Sequence, residues 1–135
     1  ATNFNPFTTD INAVRGQETG YATLNPLRFG QNVTLSNGNL RYTSPSGSNG
    51  VAMTTIPMTS KKYYCEFTAI TVTYGEIGIC NNDVNLNTYL GGDANGWMYY
   101  SGNGQKYNGG TNTSYGATWT NGETCGPNSI GVCNK

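Results

Sequence analysis

The chain has 135 residues, zero formal net charge, 10% charged residues and no histidine. That length supports one domain with a modest core, and no basic stripe exists to hold nucleic acid. The absence of histidine removes the commonest general base and the commonest metal ligand, leaving carboxylate chemistry open.

Residues 1–28 read as an extended N-terminal arm. Phe4, Phe7, Ile11, Val14, Tyr21, Leu24 and Leu27 punctuate a polar string without a consistent period, and Pro6 and Pro26 interrupt it. The spaced apolar residues suit docking on the domain or on a neighbouring subunit, with Phe4, Phe7, Tyr21 and Leu24 as anchors. The opening ATNFNPFTTD has neither the basic nor the apolar region of a signal peptide, so a leader has been removed or none is used. No apolar run reaches the ~20 residues that cross a bilayer, and no membrane insertion is expected.

Residues 29–135 show no helical period. Short strand signals recur between turn residues, the pattern of an all-β sandwich or barrel. The predicted strands are Val33–Ser36, Leu40–Thr43, Val51–Ile56, Lys62–Val72, Glu76–Cys80, Gly96–Tyr100, Gln105–Tyr107, Tyr115–Trp119 and Ser129–Cys133. Asn37-Gly38 joins the first two. Residues 44–50 form a loop, and Asn81–Tyr89 a loop or single helical turn. In Lys62–Val72, alternation puts Tyr63, Cys65, Phe67 and Ala69 on the core face. Tyr64, Glu66, Thr68 and Ile70 then point outward.

From Tyr89 to Trp119, aromatic residues and glycines alternate with almost no charge. Asn95-Gly96, Asn103-Gly104 and Asn108-Gly109 are hairpin signals, because both residue types tolerate positive φ. Strand parity sends about half of the rings inward. Trp97 and Trp119 are the expected core residues. Tyr100 and Tyr107, with Asn108 and Asn112, are the expected binding surface for a glycan or a protein.

The four cysteines leave alternatives open. Cys65 and Cys80 meet across adjacent strands if the chain turns near Val72–Tyr74, and Cys125 and Cys133 flank the turn Gly126-Pro127-Asn128-Ser129. All four are equally readable as small buried thiols. Glu66 and Glu76 approach each other if their strands pair, the arrangement a glycosidase uses. The reading preferred here is structural, with no catalytic residue. Asp93-Ala94-Asn95-Gly96 is too short for an EF-hand loop and reads as a turn, so no metal and no cofactor are expected. Asn32-Val33-Thr34 and Asn112-Thr113-Ser114 are sequons of a kind that chance supplies in so Asn- and Thr-rich a chain.

Several segments resemble the SPRY family, a β-sandwich of concanavalin-like, jelly-roll topology. Val33-Thr34-Leu35-Ser36-Asn37-Gly38-Asn39-Leu40 is similar to the first hairpin of its phage-type members. Lys62-Tyr63-Tyr64-Cys65-Glu66-Phe67 resembles the family's motif of two aromatics, a variable residue, Glu and an apolar residue. Glu76-Ile77-Gly78-Ile79-Cys80 resembles the following strand. Leu90-Gly91-Gly92-Asp93-Ala94-Asn95-Gly96-Trp97, Tyr99-Tyr100, Lys106-Tyr107-Asn108 and Ser114-Tyr115-Gly116 match the aromatic-glycine section. Asn3-Phe4-Asn5-Pro6-Phe7, Val14 to Tyr21 and Leu24-Asn25-Pro26-Leu27 look like segments that precede such modules in phage tail-fibre and virion proteins.

The resemblance runs from about Asn32 to Gly122. Beyond it, the family's last strands are expected to be absent; an arm or a neighbouring subunit then covers the edge this leaves, or the sequence is part of a longer polypeptide. The resemblance implies a non-enzymatic structural or recognition module of a phage virion, a fibre or decoration protein. Its partners would be other virion subunits, including copies of itself, and a host-surface glycan or protein. The alternatives are a subunit of a secreted cellular fibre or adhesin, and a small glycan hydrolase.

Overall fold

The computed structural model describes residues 22–59 and 63–125. Among them there is no helix, and every strand pair is antiparallel, so the fold is all-β. Strand β1 (Leu24–Phe29) pairs with β4 (Ala52–Thr54), and β2 (Thr34–Ser36) forms a hairpin with β3 (Arg41–Thr43). The short β5 (Phe67–Thr68) pairs with β10 (Thr124–Cys125). Strands β6 (Glu76–Cys80), β7 (Gly96–Tyr100), β8 (Gln105–Asn108) and β9 (Thr111–Ser114) make a four-stranded meander in that order.

The turns follow from residue type. In the β2–β3 hairpin, Asn37, Gly38 and Asn39 take φ of 53°, 63° and 63°, a run that only Asn and Gly accept at low cost. Between β8 and β9, Gly109 and Gly110 take φ of 58° and 73°, and Asn108 pairs with Thr111 across them. Positive φ at both central residues matches the right-handed twist of the flanking strands.

The meander is the middle of the domain, with an apolar cluster on each face. Ile77 and Tyr99 face one side, against Ala69, Val72, Trp119 and Cys125. Met98, Tyr100, Cys80 and Tyr107 face the other, against Val51, Met53, Val84, Leu86, Tyr89 and Leu90. Glycines let these layers close. A Cβ on Gly78 would lie 1.8 Å from the Trp97 carbonyl oxygen, and one on Gly75 would lie 2.4 Å from Cη2 of Trp119. No alanine fits at either point without moving backbone or ring.

Several expectations need correction. Strand β1 begins inside the stretch read as an arm, so Leu24 to Arg28 belong to the domain. Pro26 hid it. Proline cannot donate to a ladder, and the strand bulges between Leu24 and Phe29, while Asn25 Oδ1 accepts the Leu27 N–H at 2.9 Å. Phe4, Phe7 and Tyr21 lie outside the described residues, as do Cys133 and the predicted strand Ser129–Cys133. The strand expected at Tyr115–Trp119 is instead β9, because the glycine turn forces pairing to start at Thr111. Of the described residues of Lys62–Val72, only Phe67–Thr68 enter a ladder. Its alternation still holds: Tyr63, Cys65 and Phe67 are half-buried and Ala69 buried, whereas Tyr64, Glu66, Thr68 and Ile70 are exposed.

Trp97 is the clearest reversal. It is 47% exposed, while Trp119 is buried as expected. Trp97 shares a face with Tyr99, but it sits two residues along β7, opposite Ile79, and contributes to neither cluster. Of the two cysteine pairings left open, Cys125–Cys133 falls on a residue outside the described ones, and Cys65–Cys80 does not form. Since β5 pairs with β10 and β6 with β7, Cys65 and Cys80 are not opposed, and Cys65, Cys80 and Cys125 are free thiols. Burial pushes all three thiols above their ordinary pKa, as expected of inert structural cysteines.

Candidate functional site

The start of β6 is held from behind. Ser101, 3% exposed, accepts the Gly75 N–H on its Oγ at 2.7 Å and donates its own N–H to the Gly75 carbonyl at 2.8 Å. This clamp fixes the backbone between Tyr74 and Glu76. Glu76 lies directly across from Tyr100, so both project on the Met98 face of the sheet.

The Glu76 carboxylate is half-buried. Its Oε2 accepts the Leu90 N–H at 3.0 Å, and among the described residues its Oε1 accepts no hydrogen bond and no cation pairs with it. Burial raises its pKa, partly offset by the Leu90 N–H. Tyr42 of β3 donates its hydroxyl to the Gly50 carbonyl at 2.8 Å. Burial raises the pKa of Tyr42, a hydrogen bond with Ser44 opposes this, and the Glu76 charge adds to it.

A row of tyrosines crosses the same face. Tyr74, 64% exposed, stacks on Tyr100 with centroids 6.4 Å apart and 13° between planes. Tyr100 meets Tyr107 edge to face at 6.0 Å, and Tyr107 meets Tyr89 edge to face at 6.4 Å. Such geometries satisfy the ring quadrupoles. Gly102 makes room, since a Cβ there would lie 2.8 Å from the Tyr100 ring. Burial raises the Tyr100 pKa, with Tyr74, Tyr107 and Glu76 adding smaller contributions.

Amides line the far end. Asn103 Nδ2 donates to Gln105 Oε1 at 2.8 Å and to the Tyr107 hydroxyl at 2.9 Å. Asn112 is exposed and opposite Tyr107, and its side chain makes no hydrogen bond among the described residues. Tyr42, Tyr74, Glu76, Tyr89, Tyr100 and Tyr107 border a broad, open cleft that extends over much of the described surface.

Of the expected binding residues, Tyr100, Tyr107 and Asn112 come together here. Tyr100 and Tyr107 are half-buried against the core and not fully surface-borne. Asn108 does not join them. Its Nδ2 donates to the carbonyls of Ala94 at 3.2 Å and Gly96 at 2.8 Å, fastening the loop before β7. Tyr74 and Tyr89 were missed, and Glu76 was weighed only as a partner of Glu66. The signal was parity: Glu76, Gly78 and Cys80 share a face of β6, and the last of these is core-facing.

The other candidate groups are structural. Glu66 is exposed and accepts the Tyr64 hydroxyl, and its segment pairs with β10, so Glu66 and Glu76 are not cross-strand neighbours. Glu123 Oε2 accepts the N–H of Thr120 and its hydroxyl, closing a turn. Asp93 accepts the N–H groups of Asn95 and Asn85, each at 2.8 Å, as a turn residue does. No cluster of metal-ligating side chains occurs among the described residues. No protein-family model matches the chain, and no curated protein matches its sequence.

Proposed function

We propose that this chain is a non-enzymatic recognition module of a phage virion, a jelly-roll β-sandwich of SPRY-like type in a fibre or decoration protein. The residues ahead of β1 attach it to other virion subunits, and the cleft face touches a host-surface glycan. The observation that carries the binding reading is the tyrosine row Tyr74, Tyr100, Tyr107 and Tyr89, bordered by the amides of Gln105 and Asn112. Ring faces cover the apolar side of a pyranose, and amides exchange hydrogen bonds with its hydroxyls. Copies on one particle would add weak single contacts through avidity.

The virion assignment rests on the resemblance of Asn32 to Gly122 and of the preceding segments to phage proteins. Antibodies against this chain should label purified particles, and host polysaccharide should retard the protein in affinity electrophoresis without being shortened. Shortened polysaccharide would make the protein a hydrolase. Absence of the chain from particles would remove the virion role.

A further inference from the structure

We propose that the cleft face selects sugars carrying free amino groups, with Glu76 Oε1 receiving the ammonium and the Tyr74–Tyr100 pair carrying the sugar ring. This rests on the glycan-binding reading above and adds the chemical class of the sugar.

Glu76 lacks a partner for one of its two carboxylate oxygens among the described residues. Its position is dictated on two sides: Ser101 clamps Gly75, and the Leu90 N–H occupies Oε2. A half-buried carboxylate ordinarily has a cation or further donors to offset lost hydration. Here, among the described residues, Oε1 has neither, although the side chain borders an open cleft. The groups around it are Tyr42 from β3, Tyr100 from β7 and, two residues earlier in the chain, Tyr74. All three are neutral phenols at neutral pH, the Tyr42 hydroxyl is already donated to the Gly50 carbonyl, and none brings positive charge. Burial raises the carboxyl's pKa, the response of an acid without a counter-ion.

A ligand ammonium would meet both needs at once. It would donate to Oε1 and lie against tyrosine faces, which attract cations through the ring quadrupole. A free amine on a pyranose has the right form, because the ring beside it can stack on exposed Tyr74. The hydroxyls of further sugars along the Tyr100–Tyr107 row would face the amides of Gln105 and Asn112, which project on the same side of the sheet. An N-acetylated sugar presents no cation and leaves Oε1 unmatched. A lysine-rich peptide offers the cation, but no flat polyhydroxylated ring for Tyr74 and the amides.

The test compares glucosamine oligomers with their fully N-acetylated counterparts by calorimetry on the full chain. The pH is set where the sugar amine is protonated and the carboxylate is not. The free-amine oligomer should bind at least about tenfold tighter, the scale of one charge-assisted hydrogen bond. Glu76→Gln, which keeps an acceptor for Leu90, should reduce that preference to near unity while leaving the acetylated oligomer's affinity unchanged. Tyr74→Ala should weaken both oligomers alike. Equal affinity of wild-type protein for the two oligomers, which needs no variant, overturns the amine selection and leaves glycan binding standing. Binding of neither oligomer, with host polysaccharide still bound, also overturns it. Failure of every saccharide removes the glycan reading itself. Oligolysine binding as tightly as the glucosamine oligomer overturns the sugar assignment in favour of a basic peptide.

Discussion

Tyr99 and Tyr100 are neighbours in the chain that face opposite sides of β7, and their surroundings differ in almost every respect. Tyr99 is 6% exposed, lies against Tyr115 and Trp119, and donates its hydroxyl to the Ala117 carbonyl. Tyr100 shares its face with a half-buried carboxylate, stacks under an exposed ring and borders an open cleft. One residue type is sealed in a core on one side of the sheet, and on the other it packs on a second core while reaching the surface. What separates the two roles is the segment that covers each face. Chain after β9 crosses back over Tyr99, whereas the rings beside Tyr100 lead outward to Tyr74.

The contrast can be broken most severely on the closed face. Trp119→Ala should cost about 3–5 kcal/mol, the usual loss for a large buried aromatic, seen as a lower midpoint in urea unfolding. A smaller loss would mean that the Tyr99 face is loosely filled. Next comes the sheet between the faces. Gly78→Ala puts a methyl against the Trp97 carbonyl, and should cost about 1–3 kcal/mol as overpacking. Altered amide exchange along β6 and β7 would locate the damage.

On the open face the effects are smaller and carry a pH signature. The folded-state pKa of Glu76 is raised. Below the ordinary carboxylate range both folded and unfolded chains hold the proton, and Glu76 is neutral to stability. As pH climbs from that range through the raised value, the unfolded chain releases the proton first, and native stability falls. Glu76→Gln should abolish that decline, so the variant should melt higher than wild type at about pH 7 and alike at about pH 4. A parallel pH dependence in both proteins would show that Glu76 is fully hydrated. Tyr74→Ala should change stability by no more than about 0.5 kcal/mol, as exposed substitutions do. A larger loss in thermal unfolding would make Tyr74 part of the core and dissolve the contrast.

Some of this was legible in the sequence. Glu76–Cys80 and Gly96–Tyr100 are strands with the boundaries expected, because apolar alternation there is bounded by loop residues. The alternation of Tyr63 to Ile70 predicted the buried face correctly even where no ladder forms. β9 was misplaced because its residues Thr111–Ser114 are all exposed and polar. Only the glycine turn before them fixes the register. Trp97 was misjudged because size and hydrophobicity do not report where a covering segment ends. The site was half visible: Tyr100 and Tyr107 lie within one aromatic stretch. Tyr74 and Glu76 reach them only through the β6–β7 register, which no local pattern displays.

The chain has two tryptophans, and the fold has placed them in unlike settings. Trp119 is buried, and its Nε1 has no hydrogen-bond partner among the described residues, while Trp97 is nearly half open to solvent. Intrinsic fluorescence therefore carries two separable signals. An aqueous quencher should reach Trp97 in the native protein and spare Trp119, so that emission resistant to quenching reports the closed layer alone.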